Sequence, residues 1–338
     1  MRAPNSEATP GGSADAGRGR GELAAIDRLR RRLPGPPADE VWIGDDAAVL
    51  SWPWRQLLLT TDLAVAGVHA DLDVVGIDVL GWRALAGALS DVAAMGGRAD
   101  QAVVGVAGPP DTDLDLLYEG IDACARAHGC ALVGGDLSGA PAVVVSVTVT
   151  GHVPDDGAPV LRDGARPGDH LFVTGPVGGA AAGLRALRAG AGPPPVLAGG
   201  TRHGGAHDDV TGALLEAHCR PVARLSEGDA ARRGGATAMV DVSDGLLSDL
   251  WQLADASGVG FALARVPVFA GATLEDALGG GEDYELVFAA PHGDRLAAEF
   301  ARAGTRRPVM IGACTADVAE RTLDGHRVER SGWEHPWR

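Results

Sequence analysis

The sequence predicts two α+β domains, and three observations lead to that fold class. Apolar runs of strand type alternate with longer helical stretches through residues 41–153. The segment PDDGAP at 154–159 is a turn-rich break, after which strands and helices begin again. A chain of 338 residues with 46% hydrophobic content can build two ordinary domains, each with its own core. Mixed elements in two halves favour this organisation over one doubly wound sheet.

The first half is expected to contain five strands and two helices. Apolar, β-branched runs predict strands at 41–50, 57–61, 101–107, 131–133 and 142–153. Helical periodicity predicts helices at about 74–95 and 114–128. The domain limits that follow are 22–153 for the first domain and 160–338 for the second. Residues 1–21, rich in Gly, Ala, Ser and Arg, are expected to be a disordered tail.

The second half is expected to repeat the mixture of strands and helices. Helices are predicted directly after Gly178-Gly179, at about 210–218 and from Gly245 onward. Residues 190–205 are a Gly- and Pro-rich stretch of low complexity that predicts a surface insertion. Strands are predicted at 170–174, 238–240, 260–264, 285–289 and 309–312.

Charge and cysteine content exclude several classes of protein. The net charge is −16, whereas nucleic-acid binding requires a cationic surface, so no nucleic-acid partner is expected. No apolar run approaches the length of about 20 residues that spans a bilayer, and no membrane association is expected. The four cysteines show no CxxC spacing, which favours buried free thiols and a cytoplasmic protein.

The chain contains no lysine, so all 29 of its basic residues other than histidine are arginine. This excludes lysine Schiff-base chemistry and the phosphate-binding lysine of the Walker P-loop. A protein of this composition that handles phosphate must use arginine, backbone N–H groups or metal ions.

Aspartates follow apolar runs at three places in the chain. Asp62, Asp136 and Asp241 each come at or just after a strand-like run, beside a hydroxyl or a glycine. Asp45 and Asp46 lie inside a fourth apolar run, where an unpaired charge is costly. Any one of these acids could simply cap a helix or a turn.

Asp91 is the fifth such site. It falls on the apolar stripe Ala84, Ala88, Asp91, Met95 of the helix predicted at 74–95. Asp91 either serves as a cap or pairs with an arginine such as Arg83 or Arg98, or it binds a cation. Carboxylates together with threonine hydroxyls are hard oxygen ligands that suit Mg²⁺ ions holding phosphates.

The motifs together resemble the thiamine-monophosphate kinase family, in the family's order and over nearly the whole chain after residue 22. The motifs SDVAAMG and GGEDYEL point to this branch, whereas DVSDG and GDDAAV are shared with relatives in the AIR-synthetase superfamily. The resemblance implies an N-terminal domain that dimerises through its sheet and a C-terminal α+β domain that closes the active site. The matching segments are GDDAAV (44–49), TTD (60–62), SDVAAMG (90–96), GGD (134–136), DVSDGL (241–246) and GGEDYEL (280–286).

The resemblance also implies roles for individual residues. The Mg²⁺ ligands it implies are Asp46, Thr60, Thr61, Asp62, Asp91, Asp136, Asp241 and Asp244. The ATP contacts it implies are Tyr118, Gly135, Asp136, Arg162 and Ser243. The thiamine-phosphate contacts it implies are His69, Glu282 and Trp333.

The activity implied is ATP-dependent phosphorylation of thiamine monophosphate to thiamine diphosphate by Mg²⁺-assisted transfer, in a cytoplasmic homodimer. The alternative enzyme is another member of the superfamily that acts on a different acceptor, such as an aminoimidazole-ribotide or selenophosphate synthetase. The latter typically uses an N-terminal cysteine or selenocysteine and a lysine, but the first cysteine here is Cys124. A non-enzymatic metal-binding protein would leave Arg162, Glu282 and the glycine loops without a task.

Overall fold

The chain folds into two successive halves, each of which packs helices against its own β-sheet. The computed structural model describes residues 38–41, 45–52, 55–193, 209–291 and 293–336. The strands of the first sheet are β1 (Ala48–Trp52), β2 (Arg55–Val65), β3 (Arg98–Gly108), β4 (Ala131–Gly139) and β5 (Val144–His152). Their order is β1-β2-β5-β3-β4, with β3 and β4 parallel and the other neighbours antiparallel.

Strict alternation in the sequence makes the first sheet two-faced. Along β5, Val145, Val147 and Val149 are fully buried, while the residues between them point to the other face. The buried face is covered by α1 (Ile77–Ala94), which connects β2 to β3. A second helix, α2 (Leu114–His128), packs on α1 and connects β3 to β4. The opposite face of the sheet is left without a helix among the described residues.

The second half builds a seven-stranded sheet in the order β12-β11-β8-β10-β6-β9-β7. Only the β8–β11 pair is parallel among its recorded pairings. The strands are β6 (His170–Val173), β7 (Ala238–Asp241), β8 (Gly260–Leu263), β9 (Leu286–Ala290), β10 (Val309–Thr315), β11 (Arg321–Leu323) and β12 (His326–Arg327). The helices are α3 (Gly179–Arg188), α4 (Asp209–Cys219), α5 (Leu225–Gly234), α6 (Leu246–Ser257), α7 (Leu274–Gly279) and α8 (Gly293–Ala303).

Helix α1 is the element that both halves share. It contacts β2, β5 and α2 of the first half, and also α5 and β7 of the second. Nearly all of its residues are therefore buried, including Ala84 and Ala88 of the predicted stripe, and so is Met95 directly after the helix. A helix buried on every side needs small residues where it meets other backbones, and α1 is rich in alanine and glycine.

Several predicted elements differ from those observed. The strand predicted at 41–50 begins only at Ala48, and Val41 makes a single bridge to Val49. Strands β2 and β4 continue past Asp62 and Asp136, so these two acids lie inside strands and not at their ends. Helices α5, α7 and α8 and the short strands β11 and β12 were not predicted.

The two-layer organisation is consistent with the predicted break at 154–159, where a 3₁₀ turn (Pro154–Asp156) follows β5. The exact domain limits stay predictions. The tail predicted at 1–21 lies outside the described residues, as does the larger part of the insertion predicted at 190–205. All four cysteines are free and buried, as predicted. Within the described ranges, no helix is both long and apolar enough to cross a membrane.

The close crossing of α1 and α2 provides a test of the packing. A Cβ added at Gly120 would lie 1.8 Å from the carbonyl oxygen of Asp78 on α1. We expect Gly120→Ala to lower the free energy of unfolding by about 1–3 kcal/mol, because the two backbones must separate. Urea titration followed by circular dichroism measures this change.

Gly212→Ala on α4 is the matched control, because a Cβ there meets no described atom within 4 Å. Alanine in a helix interior is favoured over glycine, so this variant should be more stable by about 0.5–1 kcal/mol. Equal stability of the two variants would contradict the close crossing.

Candidate active site

Three carboxylates meet where the two halves of the chain contact each other. One oxygen each of Asp46, Asp91 and Asp241 lies within 4.8 Å of the others, and we call this group the carboxylate cluster. Asp46 comes just before β1, Asp91 lies in the last turn of α1, and Asp241 ends β7. The carboxylate cluster thus brings together one residue next to a strand of the first sheet, one at the end of a strand of the second sheet, and one on the helix that contacts both halves.

Electrostatic repulsion within the carboxylate cluster is strong. Burial, together with the charges of Asp241, Asp62 and Asp46, raises the pKa of Asp91 well above its usual range. Burial and the charge of Asp46 raise the pKa of Asp241 to about 7. Among the described residues, the hydroxyl of Thr60 donates to Asp91 at 2.5 Å, and this neutral donor does not offset the repulsion from three neighbouring carboxylates.

The carboxylate cluster fits a divalent cation by its chemistry. Oδ2 of Asp46 is buried and has no hydrogen-bond partner among the residues that the structure describes. Carboxylate and hydroxyl oxygens are the ligands that Mg²⁺ prefers. The alternative of an arginine pair through Arg83 is wrong for Asp91, because the guanidinium of Arg83 forms its ion pair with Glu282.

Arg162 lies at one side of the carboxylate cluster. Its Nη2 donates to Asp46 Oδ1 at 2.8 Å, and its Nη1 donates to the amide oxygen of Gln252 at 2.9 Å. Its backbone N–H donates to Asp45 at 3.0 Å. Despite burial, which opposes the charge, these acids raise the pKa of Arg162 above its usual range. Arg162 is thus a permanent cation beside the cluster, and its role in phosphate binding stays a prediction.

The other acids and threonines of the predicted metal set divide by strand face. Thr60 and Asp62 are on the face of β2 that meets α1; the Asp62 carboxylate lies next to Gly87, where a Cβ would be 2.4 Å from Oδ2. Thr61 is on the opposite, exposed face, where its hydroxyl accepts from Thr148 at 3.0 Å. Asp244 is near enough to Asp241 to raise its pKa.

Gly135 and Asp136 are on β4, at the edge of the first sheet and away from the carboxylate cluster. Asp136 is opposite Gly105, in a row that continues through Ser146 to Leu63 on β2. Residues directly opposite share a face, so Asp136 lies on the outer face, with Thr61. Three strand spacings separate β4 from β2, which is about 14 Å. One chain therefore does not bring Asp136 to the carboxylate cluster.

The other predicted ATP contacts lie on three different elements of the fold. Ser243 comes two residues after Asp241 of the carboxylate cluster, and its carbonyl accepts from the N–H of Glu282 at 2.7 Å. Tyr118 is on α2, half-buried against the first core. Gly135 is exposed on the edge strand, opposite Val104, and a Cβ there would lie 2.0 Å from the carbonyl oxygen of Val104. The glycine is thus required by the close pairing of β3 and β4, whatever else it binds.

The three predicted substrate contacts lie in two separate places. His69 follows β2, and its Nδ1 accepts from the N–H of Val65 at 3.0 Å. Its carbonyl accepts from Arg83, which also pairs with Glu282. Trp333 is 54% exposed, and its backbone N–H donates to the carbonyl of Asp244 at 2.9 Å. His69 and Glu282 are thus brought together by one guanidinium, while Trp333 is anchored beside Asp244.

The GGEDYEL segment sends its side chains to different places. Asp283 accepts from the N–H groups of Gly178 and Ala180 at the start of α3. Glu285 is buried and pairs with Arg224 at 2.7 Å. These contacts assign the two acids to anchoring, and only Glu282 turns toward His69.

Two residues that the sequence analysis did not assign to the site are important in it. Arg83 was considered only as a partner for Asp91, although a lone arginine within the apolar run WRALAGAL is itself a signal of a buried ion pair. Asp249 is 1% exposed and accepts from the N–H groups of Asp244 and Gly245, both at 3.1 Å. It fixes the loop that carries Asp244.

Comparison with known proteins gives matches over both halves. Residues 44–153 match the family model of the AIR synthase related protein N-terminal domain, and residues 166–322 match that of the C-terminal domain. The chain is 36% identical to the thiamine-monophosphate kinase of Salmonella typhimurium over 318 residues, covering 88% of this chain and 91% of that protein. It is 37% identical to that of Mycobacterium tuberculosis (strain ATCC 25618 / H37Rv) over 283 residues, covering 79% of this chain and 80% of the relative.

Solved structures agree with the sequence matches. AaThiL complexed with AMPPCP and TMP superposes with a TM-score of 0.78 at 30% identity, covering 93% of this chain and 97% of that one. The hydrogenase maturation protein HypE in complex with ATP, at 20% identity, covers 85% of this chain and 87% of its own with a TM-score of 0.63, and shares the fold. The predicted fold and the family resemblance are both confirmed.

Removing one charge from the carboxylate cluster tests what it is for. We expect Asp91→Asn to raise the melting temperature in metal-free buffer, because the amide keeps the shape and removes a buried, repelled charge. The gain comes from relief of the repulsion by Asp241, Asp62 and Asp46 that raises the pKa of Asp91. Added Mg²⁺ should stabilise the wild type more than the variant in differential scanning fluorimetry.

Asp255→Asn is the contrasting control, because it weakens the partner of the buried Arg321 and should lower the melting temperature. A structural ion pair at Asp91 predicts the opposite of our expectation, namely a loss of about 3–5 kcal/mol on substitution.

Proposed function

The chain belongs to the thiamine-monophosphate kinase family, and we propose that it transfers the γ-phosphoryl group of ATP to thiamine monophosphate, giving thiamine diphosphate. The observation that supports this most directly is the carboxylate cluster, which lies beside the permanent cation Arg162. Relatives that carry this name match most of the chain, and a related structure is described with AMPPCP and TMP.

Mg²⁺ belongs to this proposal as the cation of the carboxylate cluster. Asp46, Asp91 and Asp241 would hold it, with Thr60 and Asp62 on the adjoining face of β2. When bound, Mg²⁺ neutralises phosphate oxygens and so reduces the repulsion between two polyanionic substrates. The proposed set of metal ligands also includes Asp244 near the cluster, and Thr61 and Asp136, which lie on the outer face of the first sheet and so do not reach this cation within one chain.

The chain's own residues perform positioning and electrostatic work. Arg162 offers a guanidinium to the phosphates of ATP, and the backbone around Ser243 lies directly after the carboxylate cluster. No general base is needed, because the acceptor atom is already an ionised phosphate oxygen. Catalysis is then in-line transfer of the phosphoryl group, with the protein holding the attacking oxygen of the acceptor in line with the γ-phosphate of ATP.

The acceptor is proposed to bind at the other end of the region, against His69, Glu282 and Trp333. Glu282 provides a carboxylate for the cationic thiazolium ring of thiamine, and the indole of Trp333 provides an exposed aromatic face. The phosphate of the acceptor then points toward the carboxylate cluster, which is the direction that transfer requires.

A homodimer is part of the proposal, because the outer face of the first sheet carries exposed residues with no cover among the described elements. Leu63 and Val103 are 53% and 42% exposed, and Thr61 and Asp136 lie on the same face. Packing of this face against a second copy would bury the apolar side chains and would bring residues of the second copy to Asp136 and Thr61, which one chain leaves away from the carboxylate cluster.

We also propose a cytoplasmic location. Four buried free thiols suit a reducing compartment, and burial raises the pKa of Cys219 to about 12, which keeps the thiol protonated.

The activity and its metal requirement are tested together. The purified protein should consume ATP with thiamine monophosphate and yield thiamine diphosphate, detected by chromatography. EDTA should abolish the turnover and excess Mg²⁺ should restore it, since phosphate charge must be offset without lysine. Aminoimidazole precursors and a reaction without acceptor are the controls. Turnover with an aminoimidazole precursor alone would favour the alternative superfamily activity, and robust turnover without metal would refute the proposed chemistry.

Trp333 tests the acceptor end. Because its side chain is 54% exposed, we expect Trp333→Ala to leave the melting temperature nearly unchanged. Loss of an aromatic contact of about 0.5–1.5 kcal/mol should raise the KM for thiamine monophosphate by up to about tenfold. Steady-state kinetics with each substrate varied should leave the KM for ATP unaltered. An equal change in both constants would place the indole outside the acceptor pocket.

A further inference from the structure

Arg83 connects three separate segments of the chain from within the protein. Its residue is 3% exposed. Nη1 donates to the carbonyl of His218 at 2.6 Å, and Nη2 donates to the carbonyl of His69 at 2.9 Å. Nη2 also forms the ion pair with Oε1 of Glu282. One guanidinium therefore holds the end of α4, the loop after β2 and the segment that follows α7.

The ion pair with Glu282 is asymmetric. The Arg83 side chain is 2% exposed, whereas the Glu282 side chain is 30% exposed. Arginine remains charged when buried, so it needs the carboxylate as its counter-charge. The carboxylate is thus held from the protein side and is still accessible from the other side. That is the arrangement expected of a binding group that another residue orients.

Helix α1 relates Arg83 to the carboxylate cluster. Arg83, Gly87 and Asp91 are four residues apart, which places them along one side of the helix. Gly87 leaves room there for the Asp62 carboxylate and for the hydroxyl of Tyr284. Eight residues at a rise of about 1.5 Å each separate the Cα atoms of Arg83 and Asp91 by about 12 Å. The helix is buried on all sides and so keeps this separation fixed.

We propose that Arg83 is a positioning residue that fixes the acceptor-binding groups His69 and Glu282 at a set distance from the carboxylate cluster. The proposal rests on the proposed function, because it takes His69 and Glu282 as acceptor contacts. Arg83 acts through these residues and does not touch the substrate, since it is buried behind them. A planar guanidinium is required, because its fork of N–H donors reaches several acceptors at once, which an ammonium group on a flexible chain does not do.

Arg83→Lys tests the proposal with charge retained. We expect the KM for thiamine monophosphate to rise at least about tenfold, equivalent to about 1.4 kcal/mol, while the KM for ATP stays within about twofold. Arg321→Lys is the matched control: Arg321 is also buried, donates to two backbone carbonyls and pairs with one carboxylate, that of Asp255. Both variants should lose thermal stability, but the control should keep both KM values.

A double-mutant cycle identifies the path of the effect. In the background of Glu282→Gln, which itself raises the KM for thiamine monophosphate, adding Arg83→Lys should have much less effect than in the wild type. Effects that simply multiply, or a parallel rise in the KM for ATP, would overturn the proposal and make Arg83 a purely structural residue. Wild-type protein in the same assay reports on the proposed function separately, because its failure to use thiamine monophosphate refutes that function alone.

A spectroscopic measurement covers the case in which Arg83→Lys does not fold. Nitrogen-15 NMR of arginine side chains detects guanidinium groups whose rotation is restricted by ion pairs. We expect one such signal to be altered in Glu282→Gln and to shift when thiamine monophosphate is added to the wild type, but not when ATP is added alone. A full set of unchanged signals in Glu282→Gln would show that Arg83 does not hold Glu282, and the proposal would be wrong.

Discussion

The constraint on which the site depends is the repulsion between three buried or half-buried carboxylates. Asp46, Asp91 and Asp241 come from distant parts of the sequence, and folding alone places their oxygens within 4.8 Å. In a chain without lysine, Arg162 is the cation that the described part of the chain places there, and of the three carboxylates its guanidinium is paired with that of Asp46. The remaining repulsion must be carried by the packing of the two layers against α1. The carboxylate cluster therefore lowers the stability of the folded chain, and it concentrates negative charge that a divalent cation would neutralise.

Helix α1 holds the carboxylates together against this repulsion, because it is packed between the two halves of the chain. Its role explains why so many of its residues are small: a Cβ at Gly81 would lie 2.3 Å from the carbonyl of Leu117, and one at Gly87 would lie 2.4 Å from the Asp62 carboxylate. Larger side chains would push α2 or β2 away and alter the distance between the two ends of the site. The same close packing holds Arg83 and Asp91 in fixed relation, so the geometry of the site depends on backbone contacts made by residues without functional groups.

The sequence predicted the α+β class, the helix of α1 and the cluster of acids, because strong periodicity and a run of carboxylates in apolar surroundings are local signals. It could not predict which acids would meet. Asp136 and Asp62 looked alike in sequence, yet strand parity and register place them on opposite faces of the first sheet. Helix α5 was missed because LSEGDAARRG has few large apolar residues. Its burial comes from packing on α1, where Gly228 lies against the carbonyl of Ala93, and on α8, where Gly234 lies against Leu296, and only the tertiary structure creates these contacts.

The segment 282–285 shows how local strain is used to direct adjacent side chains. Glu282 and Tyr284 have φ values of 67° and 50°, in the left-handed region that costs a residue with a Cβ about 1–2 kcal/mol. The alternation of backbone conformations turns each side chain to a different neighbour, and each neighbour supplies a compensating contact. Asp283 binds the start of α3, Glu285 is buried in an ion pair, and Glu282 meets Arg83. Asp283 and Glu285 anchor the chain directly after Glu282, and Arg83 holds the Glu282 carboxylate itself. The carboxylate of Glu282 can therefore remain partly exposed without being free to move away from the site.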